Sequence, residues 1–198
     1  MSPGIEHAKR ALRAELRERR QLLSEAQRAA AAVGVAEQLD RLVERHRARS
    51  ISCYLSATTE PGTAEFLAGA MVRGIRVLLP ITRADGLLDW VVATPDQEVV
   101  EAAYGVPEPV AEVLGPIAVG DVDLMIIPAA SVDRTGMRLG WGRGYFDKTL
   151  GSMEGCPPVY AVVFDSEFAD EVPSEPHDER VTGVVTPTRT IDLAPRTR

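Results

Sequence analysis

Two short apolar runs separated by one helix constrain the fold of this chain more than any other feature. The runs are residues 51–55 and 75–79, and the segment between them has a candidate N-cap at Thr63 and a helix-ending glycine at Gly74. A strand, a helix and a second strand in this order form a βαβ unit with two parallel strands. Short, wholly apolar strands suit a sheet that is covered on both faces. The sequence therefore predicts an α/β fold.

Further elements extend this unit in both directions along the chain. Apolar residues at helical spacing predict a helix over about 5–22, and Ser24 with Gln27 forms a capping box that starts a second helix, ending before Ser50. Strands are predicted over 87–93, 122–127, 159–164 and 181–185, with Pro80 and Pro128 ending strands, a short helix over 144–150, and a surface excursion over 94–120. We expect one domain over residues 1–198, with a mostly parallel central sheet preceded by two N-terminal helices.

Charge and cysteine content narrow the function classes. The net charge is −7. The first 50 residues hold 11 Lys and Arg against 7 acids, so the rest of the chain is strongly acidic. An acidic body argues against a nucleic-acid binder. No apolar stretch approaches the roughly 18–20 residues of a membrane span, and the N-terminus is too charged for a signal peptide. Two cysteines make no disulfide framework, and Cys53, inside an apolar run, is expected to be a small buried hydrophobe. We expect a cytoplasmic protein.

A glycine-rich loop after the most apolar strand is the main candidate site. Gly140, Gly142 and Gly144 alternate there, and Arg138 and Arg143 add two cations. Ligands of open α/β sheets bind beyond the carboxyl ends of the strands, and successive amides before a helix favour an anion. The spacing matches neither a Walker loop nor a dinucleotide fingerprint. On the residues alone, a phosphate site and a plain glycine-rich turn stay equally open.

Two acids are candidates for a magnesium site. Asp147 begins the helix after the loop, where a carboxylate also suits the helix dipole, and Asp178 precedes the last predicted strand. Mg²⁺ commonly uses one or two carboxylates together with substrate phosphates. On spacing alone, Asp178 is one of 29 acids and carries no special weight.

The string from Arg138 to Asp147, RLGWGRGYFD, resembles the motif RLGxGxGYYD of the 5-formyltetrahydrofolate cyclo-ligase family. The departure is Phe146 in place of the second tyrosine, which loses a hydroxyl and keeps the ring. Three weaker matches lie in the order that the family has: Lys9 to Arg13, the loop from Tyr54 to Glu60, and His177-Asp178. The resemblance spans nearly the whole chain and implies a three-layer α/β/α sandwich.

The resemblance also implies an enzyme of one-carbon metabolism. Such an enzyme converts 5-formyltetrahydrofolate, with or without a polyglutamate tail, to 5,10-methenyltetrahydrofolate with ATP and Mg²⁺, and releases ADP and phosphate. Arg143 and Tyr145 are the implied catalytic residues, and Asp147 and Asp178 the implied metal ligands. The implied ATP contacts are Lys9, Arg13, Arg138, Leu139, Gly140, Trp141, Gly142, Arg143, Gly144, Tyr145 and Phe146. The implied folate contacts are Leu55, Glu60, Trp141, Gly142, Arg143, Gly144 and Tyr145.

Several alternatives remain at this stage. The basic charges Arg10, Arg17, Arg19 and Arg20 are interpreted as solvated, and His177 as a neighbour of the metal acid rather than a base. The chain could instead be a catalytically silent folate- or nucleotide-binding module of the same fold, or a sugar-phosphate isomerase of similar architecture. A silent relative would be expected to lack some of the charged residues of the site, and here all are present. We expect a monomer that binds a small molecule and neither nucleic acid nor a membrane.

Overall fold

A seven-stranded sheet forms the centre of the molecule. The computed structural model describes residues 3–101 and 107–193. The sheet has the order β12-β11-β9-β6-β1-β2-β3, in which the five inner strands are parallel and the two edge strands antiparallel. Its strands are β1 (Ser50–Ser52), β2 (Arg76–Thr82), β3 (Leu88–Val92), β6 (Leu124–Pro128), β9 (Val159–Val162), β11 (Gly183–Val185) and β12 (Thr190–Asp192). The predicted mostly parallel sheet is confirmed.

The sheet has an apolar core on each face, because successive side chains of a strand point to opposite sides. In β6, Leu124 and Ile126 join one core, and Met125 and Ile127 join the other. The helices α2 (Glu25–His46) and α3 (Ala64–Val72) cover the first face, and α4 (Tyr145–Ser152) packs on the second. This arrangement is the predicted α/β/α sandwich.

The first helix lies against a smaller sheet that carries the glycine-rich segment. This sheet has the order β10-β7-β8, with β7 (Ser131–Asp133), β8 (Arg138–Leu139) and β10 (Phe168–Ala169). Leu16 of α1 (Pro3–Gln21) packs there against Leu139 and Val172. The basic N-terminal helix is therefore held next to the loop that follows β8.

Most of the helix-capping and helix-ending residues identified in the sequence take the predicted positions. Ser24 and Gln27 exchange both bonds of the capping box. Gly74 follows α3 with a φ of +75°, a conformation that glycine adopts without strain. Thr63 is at the N-cap position of α3 but makes no cap bond; its hydroxyl instead donates to the Tyr54 carbonyl oxygen at 2.7 Å. It fastens the loop that leaves β1.

The prediction that Pro80 ends its strand was wrong for a tertiary reason. Strand β2 continues through Pro80 to Thr82, because the Pro80 nitrogen needs no partner there. Trp90, opposite Pro80, exchanges both backbone hydrogen bonds with Leu114, so the Pro80 nitrogen faces the side where β1 has already ended.

The predicted surface excursion over 94–120 is mostly exposed in its described residues, 94–101 and 107–120. It forms β4 (Val99–Glu101), β5 (Pro107–Pro109) and a 3₁₀ turn (Pro116–Asp121). Glu108 of β5 is 8% exposed.

Candidate active site

Two adjoining cavities lie beyond the carboxyl ends of the inner strands. An apolar cavity of about 170 Å³ and a polar cavity of about 140 Å³ share Arg138, Gly140, Gly144 and Asp147. Every residue that the sequence analysis selected lines one or both of them. The apolar cavity takes Leu55, Glu60, Trp141, Arg143, Tyr145 and Phe146, and the polar cavity takes Lys9, Arg13, Leu139, Gly142 and Asp178. Residues from four distant segments therefore meet at one place.

The glycine loop, residues 140–144, separates the two cavities. Gly142 and Gly144 have φ values of +94° and +71°, which side chains other than glycine adopt only with strain. Arg13 Nε donates to the Gly140 carbonyl oxygen at 2.8 Å, and a Cβ placed on Gly142 would lie 3.4 Å from the Arg13 guanidinium carbon. The first helix is thus fastened directly to the loop. Leu139 contributes its side chain to the core, where it is 1% exposed.

The apolar cavity has a mostly non-polar lining that includes the acids Glu60, Glu108 and Asp147. Leu55, Pro80, Leu88 and Phe146 contribute apolar side chains to this lining, and Tyr54, in the loop that leaves β1, also lines the cavity. Cys53, next to Tyr54, is fully buried, and burial raises the pKa of its thiol to about 12. The prediction that Cys53 is buried is confirmed.

Glu60 is a carboxyl group held in partly apolar surroundings. Burial raises the pKa of Glu60 above its ordinary value, although the hydrogen bond from the Ala57 amide at 2.9 Å and the charge of Arg20 oppose this. The Trp141 indole N–H lies near this carboxyl group but makes no full hydrogen bond to any described residue. A buried donor without a partner is costly, so a ligand acceptor in this cavity would relieve it.

Arg20 was wrongly predicted to be solvated. It is 1% exposed, and it donates two hydrogen bonds to Glu167 at 2.7 and 2.8 Å and one to the Ala129 carbonyl oxygen at 2.9 Å. Its guanidinium carbon is 4.7 Å from the centre of the Trp141 ring. A cation over the face of an aromatic ring is attracted to that ring, so the contact with Arg20 helps to hold the Trp141 indole in place. No local pattern distinguishes Arg20 from the exposed Arg19 beside it.

Lys9 lies in the polar cavity between two acids. Its ammonium group is 3.0 Å from Glu175 Oε2 and 2.6 Å from Asp178 Oδ2, and the residue is 5% exposed. Burial by itself lowers the pKa of Lys9, but the hydrogen bonds and charges of Asp178 and Glu175 outweigh it and raise the pKa. Glu175 was not predicted from the sequence. The exposed His177 lies 3.8 Å from Asp178 Oδ1, beside the acids as interpreted.

Asp147 and Asp178 line the same cavity, and each already has a cation. Arg138 Nη2 donates to Asp147 Oδ1 at 2.6 Å, and Lys9 Nζ donates to Asp178 Oδ2 at 2.6 Å. The Glu175 amide also donates to Asp178 Oδ2, at 2.7 Å. In the described ranges, no group of three or more His, Cys, Asp or Glu could hold a metal ion by itself. Each carboxylate nevertheless keeps its second oxygen free of hydrogen bonds to the described residues. One or two such oxygens suit Mg²⁺ when substrate phosphates complete its shell.

Arg143 and Tyr145 lie on the apolar side of the glycine loop. Arg143 is exposed, Tyr145 is half-buried, and both also border an open cleft toward Arg83 and Lys148.

Among the helices in the described part of the chain, none is long and apolar enough to span a membrane.

Comparison with known proteins gives a consistent result. The sequence model of the 5-formyltetrahydrofolate cyclo-ligase family matches residues 5–187. A 5-formyltetrahydrofolate cyclo-ligase of Mycolicibacterium smegmatis is 39% identical over 148 residues, covering 72% of this chain and 76% of that protein. One of Haemophilus influenzae is 25% identical, covering 84% of this chain and 91% of that protein.

Solved structures agree in fold. The 5,10-methenyltetrahydrofolate synthetase of Aquifex aeolicus superposes with a TM-score of 0.78 at 23% identity, over 96% of this chain and 95% of that chain. That of Mycoplasma pneumoniae superposes with a TM-score of 0.72 at 18% identity, over 90% and 98%.

Proposed function

The chain belongs to the 5-formyltetrahydrofolate cyclo-ligase family and is an enzyme of that class, and on this premise we propose its reaction and the roles of its residues. It converts 5-formyltetrahydrofolate to 5,10-methenyltetrahydrofolate, with one ATP consumed and ADP and phosphate released. The observation that carries the proposal is the pair of adjoining cavities, one apolar and one lined by three cations and four acids, which share Arg138, Gly140, Gly144 and Asp147. A flat heterocycle and a triphosphate can meet there at one wall.

The reaction needs phosphoryl transfer because a formyl amide is a poor electrophile. The formyl oxygen attacks the γ-phosphorus of ATP, the bond to the β-phosphate oxygen breaks, and ADP leaves an imidate phosphate. The substrate's N10 then attacks the formyl carbon and loses its proton, and the carbon–oxygen bond breaks. Phosphate departs with the formyl oxygen, and the ring closes. No protein nucleophile is required in this sequence.

The protein's task is to position the reactants and to neutralise phosphate charge. Lys9 and Arg13 are four residues apart on α1 and share a face, which is turned to the polar cavity. Together with Arg138 and the loop amides they hold the triphosphate. Arg143 and Tyr145, on the apolar side of the same loop, act at the transferred group. Leu55, Glu60 and Trp141 hold the folate ring.

Asp147 and Asp178 would hold Mg²⁺ through the oxygens that Arg138 and Lys9 leave free. The ion, when bound, supplies positive charge that offsets the phosphate oxygens. Arg138 and Lys9 keep the two carboxylates in place beforehand, because each is buried beside its partner.

The direct test is the ultraviolet absorbance of methenyltetrahydrofolate. Purified protein is mixed with 5-formyltetrahydrofolate, Mg²⁺ and ATP, and each component is omitted in turn. Product that forms only in the complete mixture supports the proposal. A folded protein that gives no product would contradict it and favour a silent binding module.

The phosphorylated intermediate has a separate isotopic test. Substrate carrying ¹⁸O in the formyl group should deliver that oxygen to the released phosphate, which mass spectrometry detects. Unlabelled phosphate would exclude direct phosphorylation of the formyl oxygen.

We also propose that residues 1–198 form one domain that acts as a cytoplasmic monomer. The family match over residues 5–187 supports a single unit. Light scattering at assay concentration tests the oligomeric state, and a dimer mass would contradict the proposal.

A further inference from the structure

Glu108 is a second acid in the wall of the apolar cavity, and the motifs of the sequence did not indicate it. It lies in β5, and β5 is placed over the end of β2. Thr82, at that end, donates to Glu108 Oε1 from its amide at 2.9 Å and from its hydroxyl at 2.6 Å. The side chain is thereby fixed at the cavity, next to Pro107 and Thr82.

Among the described residues, the hydrogen bonds to Glu108 reach one of its two oxygens. Both donors of Thr82 reach Oε1, whereas Oε2 accepts no hydrogen bond from any residue in the ranges 3–101 and 107–193. Glu108 also has no Lys, Arg or His ion pair among those residues. Glu108 is 8% exposed and lines the apolar cavity, so a ligand in that cavity can reach Oε2. A glutamine could accept both Thr82 hydrogen bonds through its single oxygen, so the second carboxylate oxygen is not needed to fasten β5.

The substrate proposed above offers the donors that this oxygen lacks. The reduced pterin ring is flat and neutral, and it carries a 2-amino group and ring N–H groups along its edge. The apolar lining of the cavity suits the faces of such a ring, and an acid at the wall suits its edge. Glu60 lies in the loop after β1 and Glu108 in strand β5, so they can contact the ring at separate points.

We infer that Glu108 is a substrate-binding residue that accepts a hydrogen bond from an N–H group on the edge of the pterin ring. This inference rests on the proposed function and adds a specificity residue to the same site. Glu108 acts on the folate alone, because the polar cavity that would hold the triphosphate does not include it.

The test compares Glu108→Gln with Glu101→Gln. Both variants exchange one acid for its amide within the β4–β5 hairpin, but Glu101 is exposed and does not line the cavity. The glutamine at position 108 can still accept from Thr82, so the fold should persist, and urea unfolding verifies this. The amide nitrogen, however, opposes a ring donor with another donor.

We expect Glu108→Gln to raise KM for 5-formyltetrahydrofolate by about 10- to 100-fold, with kcat and KM for ATP within threefold of wild type. The inhibition constant of 6-methyltetrahydropterin, which carries the ring without the folate tail, should rise by the same factor. Glu101→Gln should leave all these constants unchanged. A second variant, Glu108→Asp, keeps the charge but withdraws the oxygen, and should raise the same two constants.

Three results would overturn the inference. One is KM within twofold of wild type in both Glu108 variants. Another is a raised KM with an unchanged constant for the pterin, which would place the contact on the tail. The third is a parallel loss of ATP use and stability, which would leave only a structural role. Calorimetric binding of 6-methyltetrahydropterin decides the question even if wild-type protein makes no product, so the inference and the proposed function fail separately.

Discussion

Replacing Lys9 with methionine should destabilise the protein strongly, because the substitution leaves two buried acids without their cation. Glu175 and Asp178 have side chains that are 6% and 9% exposed, and Lys9 lies 3.0 and 2.6 Å from them. Removing one partner of a buried ion pair costs about 3–5 kcal/mol. For a chain of this size, that corresponds to a fall in Tm of about 6–20 °C. Methionine keeps the length of the side chain, so the loss reflects charge rather than packing.

The measurement is urea unfolding of wild type, Lys9→Met and the control Arg10→Met. Arg10 is the exposed neighbour on the same helix and should give a change below about 0.5 kcal/mol. Adding Glu175→Gln to Lys9→Met removes one stranded charge and should recover about 1–3 kcal/mol.

The pH dependence of the free energy of unfolding gives a second measure of the ion pairs of Lys9. The folded-state pKa of Lys9 is raised above 10.5, so the charged form is favoured by folding. The stability that Lys9 provides is therefore fully present below pH 10.5 and is lost as the pH rises through the folded-state pKa. The gap between wild type and Lys9→Met should stay constant from pH 7 to 9.5 and shrink above that range. A loss under 1 kcal/mol, or no recovery in the double variant, would refute the reasoning.

Four further variants test the site. Asp147→Asn should lower turnover about 100-fold and raise the Mg²⁺ requirement, with a smaller loss in urea unfolding; equal losses would argue for a structural role. Gly142→Ala forces a side chain into a φ of +94° beside Arg13, and should raise KM for ATP while far-ultraviolet circular dichroism stays unchanged. Cys53→Ser should keep kcat in the folded fraction, and an inactive folded variant would contradict an inert thiol. Glu60→Gln should be more favourable to stability at pH 7 than at pH 4, because the raised pKa of Glu60 disfavours folding once the group ionises; a pH-independent difference would contradict this.

Local features of this chain were predictable from the sequence because their physics acts within a few residues. The capping box of Ser24 and Gln27, the turn at Gly74 and the alternating glycines of the loop each depend on neighbours close in sequence. The order of strands and helices likewise follows from apolar periodicity, and it predicted the parallel sheet. The motif from Arg138 to Asp147 then indicated where a site would lie.

Tertiary structure alone decided which charges were buried and which faced a ligand. Arg19 and Arg20 are adjacent in sequence, yet only Arg20 meets Glu167, which is 147 positions away. Lys9 meets Asp178 across 169 positions, and Thr82 meets Glu108 across 26. Pro80 continues a strand because its neighbour β1 has ended. Burial and pairing of this kind depend on segments far apart in the chain, and a charged residue in water carries no local signal of the partner that folding will bring to it.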